Sequence, residues 1–415
     1  MNRLLTAFFL CISVTVCSPG RDNPSHSFEL SEESGVTIAT NSGGPKYSGE
    51  LFEYEKVLEL REDEREESIL FRPGGFLMDE EGYFYVSDVG NRRVAVFDPE
   101  GRYSHQLGRE GQGPGELQYV EIQYVRNGIV SVYDLRQRRV SRFHTDGTLY
   151  DTTPLPQGTE RDVTRFIHVP GDREVLIRMD TPYEGDRSEY ERVHATIYDI
   201  DGDTIWTSDF DWVRTRFMGV MKISGYEFEQ PFWYQYASRP VCIYEPVWGV
   251  VYTSGWEPEL DVYDLRGRRR RRIRIVEDPE PVSRNDMYSV QQYMDRMIEQ
   301  LSGTDREMWQ SERDNCRAQE YKAFWSAVDV DDSGYIWLQY ATHHYALEDS
   351  SAPGLRYRIL SPEGEYLGNT VRPRGNHFHL SNGHLLVTRI DREKGEYVLT
   401  AYRIHSAVDG LRYPR

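Results

Sequence analysis

Cysteine is scarce: there are four in 415 residues, and two of them, Cys11 and Cys17, fall within the first seventeen. That excludes a disulfide-dense secreted scaffold. Long apolar runs are missing after residues 4–16, which excludes a polytopic helical membrane protein. Positive charge is in deficit, with 49 Lys and Arg against 68 Asp and Glu and a formal charge of −19. Non-specific nucleic-acid binding needs a basic footprint and is excluded with it. Aromatics, by contrast, are plentiful: 29 Tyr, 16 Phe and 8 Trp. So many large rings are not left solvated, which rules out wholesale disorder. Their abundance also leans the chain toward strands. The length has room for one large domain or two to three ordinary ones.

Arg3 precedes the apolar run, giving a charged segment followed by a hydrophobic one too short to span a bilayer as a mature helix. Residues 1–17 therefore read as an export signal. The run Val14-Thr15-Val16-Cys17-Ser18 resembles a bacterial lipoprotein signal, in which Cys17 becomes the lipidated N-terminus. Val16 departs from the small residue usual before that cysteine. The expected location is the cell envelope, lipid-anchored through Cys17, or otherwise the secreted fraction. Residues 18–48 are rich in Ser, Gly, Asn and Pro and read as a flexible tether.

A repeat organises residues 49–415. The template is GYFYVSDVGNRRVAVFDPEGRYSHQL, residues 82–107: three short alternating strands separated by turns at Gly90-Asn91 and Asp98-Pro99-Glu100-Gly101. The middle strand and its turn recur as RFHTDG, IYDIDG, VYDLRG and ILSPEG, with a degraded AYRIHS near the end. The spacing is 46 residues from Gly82 to Gly128 and 49 from Gly334 to Gly383. Six units at that period predict an all-β, six-bladed β-propeller of four-stranded antiparallel blades. The strand at 51–60 lies ahead of the first unit, and the sixth unit lacks an outer strand. The N-terminal strand is therefore expected to close the ring.

Two intervals are too long. Residues 209–240 are dense in aromatics, and residues 283–322 abandon the strand pattern. In the latter, Ser283 to Asp286 and Thr304 to Glu307 resemble capping boxes, and Gly303 sits where a C-terminal cap belongs. Val290, Tyr293, Met294, Met297, Ile298 and Leu301 recur at helical spacing. A helical hairpin between blades four and five is predicted, and removing it restores the blade period. Cys242 and Cys316 are the only cysteines beyond the signal. They make either one disulfide, worth roughly 4 kcal/mol on the chain-entropy model, or two buried thiols.

The first unit resembles an NHL-type propeller repeat in Tyr85-Val86-Ser87-Asp88, in Gly90-Asn91-Arg92-Arg93-Val94 and in Phe97 through Gly101. The run Gly111-Gln112-Gly113-Pro114-Gly115-Glu116 that follows resembles the signature of bacterial six-bladed, NHL/TolB-like propeller lipoproteins of uncharacterised function. The resemblance implies the architecture and names no activity.

Chemical motifs are thin. The Gly-Pro-Gly run lacks the Gly-Lys-Ser/Thr of a phosphate loop and reads as a blade-to-blade turn. Asp329, Asp331, Ser333 and Gly334 imitate half a calcium loop, but Tyr340 stands where the bidentate Glu belongs, so they read as a hairpin turn. His343-His344 and His377, His379 and His384 are the densest histidines, with no third ligand assignable. Arg266, Arg268 to Arg272 and Arg274 read as a salt-bridged outer strand of blade four. No nucleophile elbow or zinc spacing occurs. No metal site and no cofactor is assigned. Trp212, Arg216, Trp233, Tyr234 and Tyr236 are the candidate ligand-binding set, because aromatics with Arg suit protein, peptide or glycan recognition. The alternative for the same stretch is packing of the insertion. The expected function is a non-enzymatic envelope binding or scaffold propeller acting through loops at one mouth. It would engage no nucleic acid and touch the membrane only through its anchor. The alternative is a metal-dependent lyase or lactonase-type hydrolase with its site on the axis.

Overall fold

The computed structural model describes residues 23–60, 69–155, 163–169, 173–180, 190–199, 204–213, 216–238, 241–245, 247–343, 354–375, 377–391 and 396–414. The expected export signal over residues 1–17 and the expected lipidation site Cys17 lie outside the described residues. The described chain is all-β, mostly strands with two helices.

Strands β1 (Ser27–Glu33), β2 (Val36–Ser42) and β3 (Phe52–Leu60) come first. The first sheet is β4 (Pro73–Met78), β5 (Phe84–Asp88), β6 (Arg93–Phe97) and β7 (Tyr103–Leu107), hydrogen-bonded in that order. A short parallel pair, β8 (Arg109–Glu110) and β9 (Glu116–Leu117), leads to the second sheet. That sheet is β10 (Glu121–Arg126), β11 (Ile129–Asp134), β12 (Arg139–His144) and β13 (Leu149–Pro154). The third is β14 (Val163–Val169), β15 (Arg173–Asp180), β16 (Tyr190–Asp199) and β17 (Thr204–Val213). A separate hairpin follows, β18 (Arg216–Ile223) with β19 (Tyr226–Trp233). The fourth sheet contains β20 (Val241–Glu245), β21 (Gly249–Thr253), β22 (Glu259–Tyr263) and β23 (Arg269–Ile275). Helices α1 (Arg284–Gln300) and α2 (Gly303–Asp314) intervene. The fifth sheet is β24 (Ala327–Val330), β25 (Ile336–Gln339), β26 (Leu355–Leu360) and β27 (Tyr366–Arg372). In the sixth, β28 (His377–Ser381), β29 (His384–Asp391) and β30 (Glu396–Ser406) are completed by β3, antiparallel to β30.

The burial pattern explains the strand sequences. β5 and β6 are buried at every position, because both faces of the first sheet meet other sheets. β7, at the outer edge, reads Tyr-Ser-His-Gln-Leu and alternates exposure. Separate apolar clusters fill the gaps between sheets. Val86 and Ala95 pack with Leu386, Leu399 and Ala401 of sheet six. Val94 and Val96 pack with Val130 and Val132 of sheet two. Trp337 and Tyr357 of sheet five pack with Leu385 and Val387 of sheet six, and Leu260 and Ile273 of sheet four pack with Ile336 and Leu338 of sheet five. The first strands of the sheets neighbour one another from β4 through β10, β14 and β20 to β24, and β28 returns to β4.

The turns share one device. The Asp79 carboxylate accepts from the N–H groups of Glu81 and Tyr83, at 3.0 and 2.8 Å. Asp98 does the same for Glu100 and Arg102, Asp264 for Arg266 and Arg268, and Asp331 for Ser333 and Tyr335. Ser361 substitutes its hydroxyl at Glu363 and Glu365. In each, the fourth residue is a glycine at positive φ, such as Gly82 at 88° and Gly334 at 80°, which side chains rarely tolerate. The half calcium loop at Asp329 to Gly334 is one of these turns.

The helices follow the sequence in part. Ser283 and Asp286 form a reciprocal capping box on α1. The second expected box is absent: α2 starts at Gly303, after Ser302, with no side-chain cap. Gly303 therefore opens α2 and does not cap α1, whose C-cap is Leu301. Cys316 falls just past α2 and not within it.

The tether expected over 18–48 is structured from residue 23 on. β1 and β2 form a hairpin, and β2 runs parallel to β23, making sheet four six-stranded. The polar composition misleads because an outer strand needs few apolar residues; here only Ile38, Ala39 and Asn41 are buried. Asn41 is fully buried, donating to the Gly364 carbonyl at 2.9 Å and accepting from the Tyr366 N–H at 2.7 Å. The arginine strand is ion-paired as expected, but it is not an edge, because β2 occupies that side. Glu365 pins the segment, with Lys46 at 3.2 Å and His26 at 3.3 Å. Burial pushes the Glu365 carboxyl up, but His26 and Lys46 outweigh it and hold it below the usual range.

Two outcomes are expected. Asn41→Ala strands a buried N–H and a buried carbonyl and lowers the unfolding free energy by about 3 kcal/mol in urea denaturation. Because Glu365 is depressed in the folded state, its contribution is present above the unfolded value of about 4.3 and fades as pH falls through the folded one. Amide exchange of β2 should accelerate in acid relative to β21, and Glu365→Gln should remove that difference.

Candidate functional site

The residues that carry the repeat resemblance are structural. Asp88, fully buried, accepts from the Phe71 N–H at 2.8 Å, from Asn91 Nδ2 at 2.8 Å and from Arg93 Nε at 2.9 Å. In the Gly-Pro-Gly loop, Glu116 accepts from the Gly113 N–H at 2.8 Å and pairs with Arg109 at 2.9 Å. The Gly113 N–H, and then Arg109, hold the Glu116 carboxyl below the usual range. Arg139 donates to the Gly113 and Glu116 carbonyls, both at 2.6 Å. The loop is thus a self-filled turn between sheets one and two.

The aromatic set is divided. Phe217, Met221 and Phe232 form the buried face of the β18–β19 hairpin, with Tyr234 packed against it. Gly219 lets α2 approach, since a Cβ there would meet the Asn315 side chain and the Phe232 ring. Ser311 accepts from the Lys222 N–H at 2.9 Å and donates to its carbonyl at 3.1 Å, which ties α2 to the edge of β18. Arg216 and Trp233 are cross-strand partners, the guanidinium 5.0 Å from the ring centre. Tyr236 is buried among Val290, Tyr293 and Met294 of α1. Trp212 lies on β17 opposite Glu191 in the backbone register. The structure therefore brings Arg216 and Trp233 together, packs Tyr234 against the hairpin's apolar face and sends Tyr236 into the helical core.

Cys242 and Cys316 are free thiols, which corrects the disulfide expectation. Cys242 is buried on β20, whereas Cys316 packs against the α1 cluster. Burial pushes the Cys242 thiol up to about 12 and that of Cys316 up to about 11. An even cysteine count says nothing about whether two Cβ atoms can meet.

Charge gathers in a cavity of about 440 Å³ bounded by the first strands of sheets one, two, four, five and six. Gly74 and Gly75 on β4 keep one wall low. β10 contributes Glu121 and Arg126, and β20 contributes Glu245 at its last residue. Asp329 comes from β24, Asp332 from the turn beyond it, and His377 and His379 from β28. Arg126 stands 3.9 Å from Asp332, whose other oxygen accepts from the Asn382 N–H at 2.8 Å. Four carboxylates, Glu121, Glu245, Asp329 and Asp332, thus line the same cavity as one guanidinium. Among the described residues, no three His, Cys, Asp or Glu side chains stand close enough to hold a metal ion. The histidine pair and Asp329 stood out in sequence. Glu121, Arg126, Glu245 and Asp332 did not, and the signal that marks the first two and Glu245 is position on the first strand of a repeat. His343 packs instead near Tyr236 and Tyr293, and His344 lies outside the described residues.

A family model described as a 6-bladed beta-propeller, DUF5128, matches residues 64–230. No curated protein matches the chain in sequence. Among solved structures, a member of the DUF4221 family from Bacteroides vulgatus is 11% identical over 87% of this chain and 100% of its own, at a TM-score of 0.47. Virginiamycin B lyase from Staphylococcus aureus is 9% identical over 81% of both chains, at 0.35. The calcium-binding protein regucalcin from Agrobacterium tumefaciens is 10% identical over 83% of this chain and 96% of its own, at 0.34. At these identities and scores the three structures assign no activity to this chain.

Alkylation mapped by mass spectrometry checks the thiols: Cys242 and Cys316 should stay unmodified at pH 8 in the native protein and react on unfolding, with no change in Tm on adding reductant. Phe232→Ala should cost about 3–5 kcal/mol of stability by leaving a cavity under the hairpin.

Proposed function

We propose that the six sheets form one closed propeller, exported and anchored at the cell envelope through Cys17, that binds a protein, peptide or glycan ligand at its axial mouth. The observation that carries this is the polar cavity, where side chains from five sheets converge. Its four carboxylates against Arg126 favour a ligand that is cationic or rich in hydroxyls over an anionic one. Moving the ligand site from the aromatic insertion to the axis is supported by the packing of Tyr234 and Tyr236. The helical hairpin and the β18–β19 hairpin then form a buttress beside the ring. Export and lipidation rest on residues 1–17, and labelled fatty-acid incorporation lost in Cys17→Ser tests them.

A second reading, a lyase or lactonase-type hydrolase on the axis, is favoured by His377 and His379 sharing the cavity with Asp329 and Glu121. Elemental analysis of the purified protein separates the two: a stoichiometric divalent metal favours the enzyme.

The binding reading is tested on glycan and peptide arrays with the mature domain. Glu245→Gln with Asp329→Asn should weaken any hit about tenfold or more and flatten its salt dependence. Arg216→Ala with Trp233→Ala should leave it unchanged. An array without hits, or a hit lost only in the second variant, would sink the axial assignment.

A further inference from the structure

A second recess, of about 480 Å³, lies on the rim between sheets four and five, away from the axis. Its walls include Trp248, Arg270, Arg271 and Pro362, with Glu32 and Thr37 from the N-terminal hairpin. Arg271 differs from every other arginine of β23. Arg269 pairs with Asp261 at 3.0 Å, Arg272 with Asp261 at 2.8 Å and Glu259 at 3.0 Å, and Arg274 with Glu259 at 2.6 Å. Arg270 reaches Asp264 at 3.7 Å. Arg271 has no carboxylate within ion-pair distance among the described residues. It donates one hydrogen bond, to the Pro362 carbonyl at 3.2 Å.

The guanidinium is nevertheless held in place. It stacks 4.9 Å from the centre of the Trp248 ring, and Trp248 is itself fixed by its Nε1–H donating to the Gly334 carbonyl at 2.8 Å. Thr37 lies beside Arg271 in the parallel β2–β23 register, so the N-terminal hairpin builds one wall. Partial burial without a counter-charge draws the Arg271 guanidinium below its usual range, with the distant Glu363 opposing. A planar fork, oriented by an indole and short of an acceptor, matches a carboxylate. Glu32 on the wall and Glu363 nearby disfavour a doubly charged phosphate and suit a ligand that carries hydroxyl or amino groups behind its acid.

We infer that the recess at Arg271 and Trp248 is a binding site for a carboxylate borne on a hydroxylated or amino scaffold, such as a uronic acid. It is independent of the axial site, and neither residue lines that cavity.

The test is a fluorescence titration of the mature domain with D-glucuronate, with Trp248→Phe identifying the reporting ring. Inorganic phosphate, methyl glucoside and sodium chloride at matched ionic strength are run beside it. The expected result is a saturable response to glucuronate alone that weakens about tenfold or more in Arg271→Gln and persists in Arg268→Gln. Arg271→Lys, which keeps the charge and loses the fork, should weaken it as well and serves as the readout if the Gln variant fails to fold. No saturable response to glucuronate, an equal response to chloride, tighter binding of phosphate, or unchanged binding in the Arg271 variants would overturn the assignment.

Discussion

A side-chain oxygen that accepts two backbone N–H groups across a tight turn is the interaction on which the rest of the structure depends. Asp79, Asp98, Asp264 and Asp331 make it with carboxylates and Ser361 with a hydroxyl. It fixes where one strand ends and the next begins, and therefore the register of the pairing that follows. Register decides which side chains enter the gap between sheets, since a slip of one residue would expose the whole apolar set. Asp331 carries the device furthest: its second oxygen accepts from Trp337 Nε1 at 3.0 Å and from the Tyr413 hydroxyl at 2.7 Å, tying the C-terminal segment to sheet five. Burial raises the Asp331 carboxyl, and those donors oppose the rise.

What was legible in the sequence was local. The strands of residues 82–107, their turns, the capping box at Ser283 and Asp286 and the ion-paired arginines all depend on neighbours within a few positions or on alternation. The hairpin of β1 and β2 was not legible. Its polar residues resemble a linker, and the partner that orders it, β23, lies far along the chain. The free thiols follow from three-dimensional placement, on which an even cysteine count is silent. The aromatic insertion drew notice as a surface, yet Phe217, Phe232 and Tyr234 pack within the β18–β19 hairpin and Tyr236 packs against α1. The charged residues of the cavity come from separate sheets, Glu121 and Arg126 from the second, Glu245 from the fourth, Asp329 from the fifth and the histidines from the sixth, so no contiguous motif announces it.

Charge is arranged differently at the two recesses. In the cavity between the first strands, carboxylates outnumber guanidinium groups, which suits cationic or neutral groups. At the second recess, the acids of sheet four pair with Arg269, Arg270, Arg272 and Arg274 of β23 and leave Arg271, beside Arg270 in the recess wall, without a carboxylate. The same strand thus supplies a paired ladder and one unfilled position.

The position of β1, β2 and β3 has a consequence for the order of events as the chain folds. Beyond its hairpin with β1, β2 has no partner until Arg271 and its neighbours exist, and β3 has none until the stretch around Leu399 does. The earliest residues to emerge are thus among the last to find their places. Contacts this distant along the chain close slowly, and their unpaired edges stay available meanwhile. Any surface that pairs with the free side of β2 or with β3 before β23 and β30 arrive competes directly with the completion of sheets four and six.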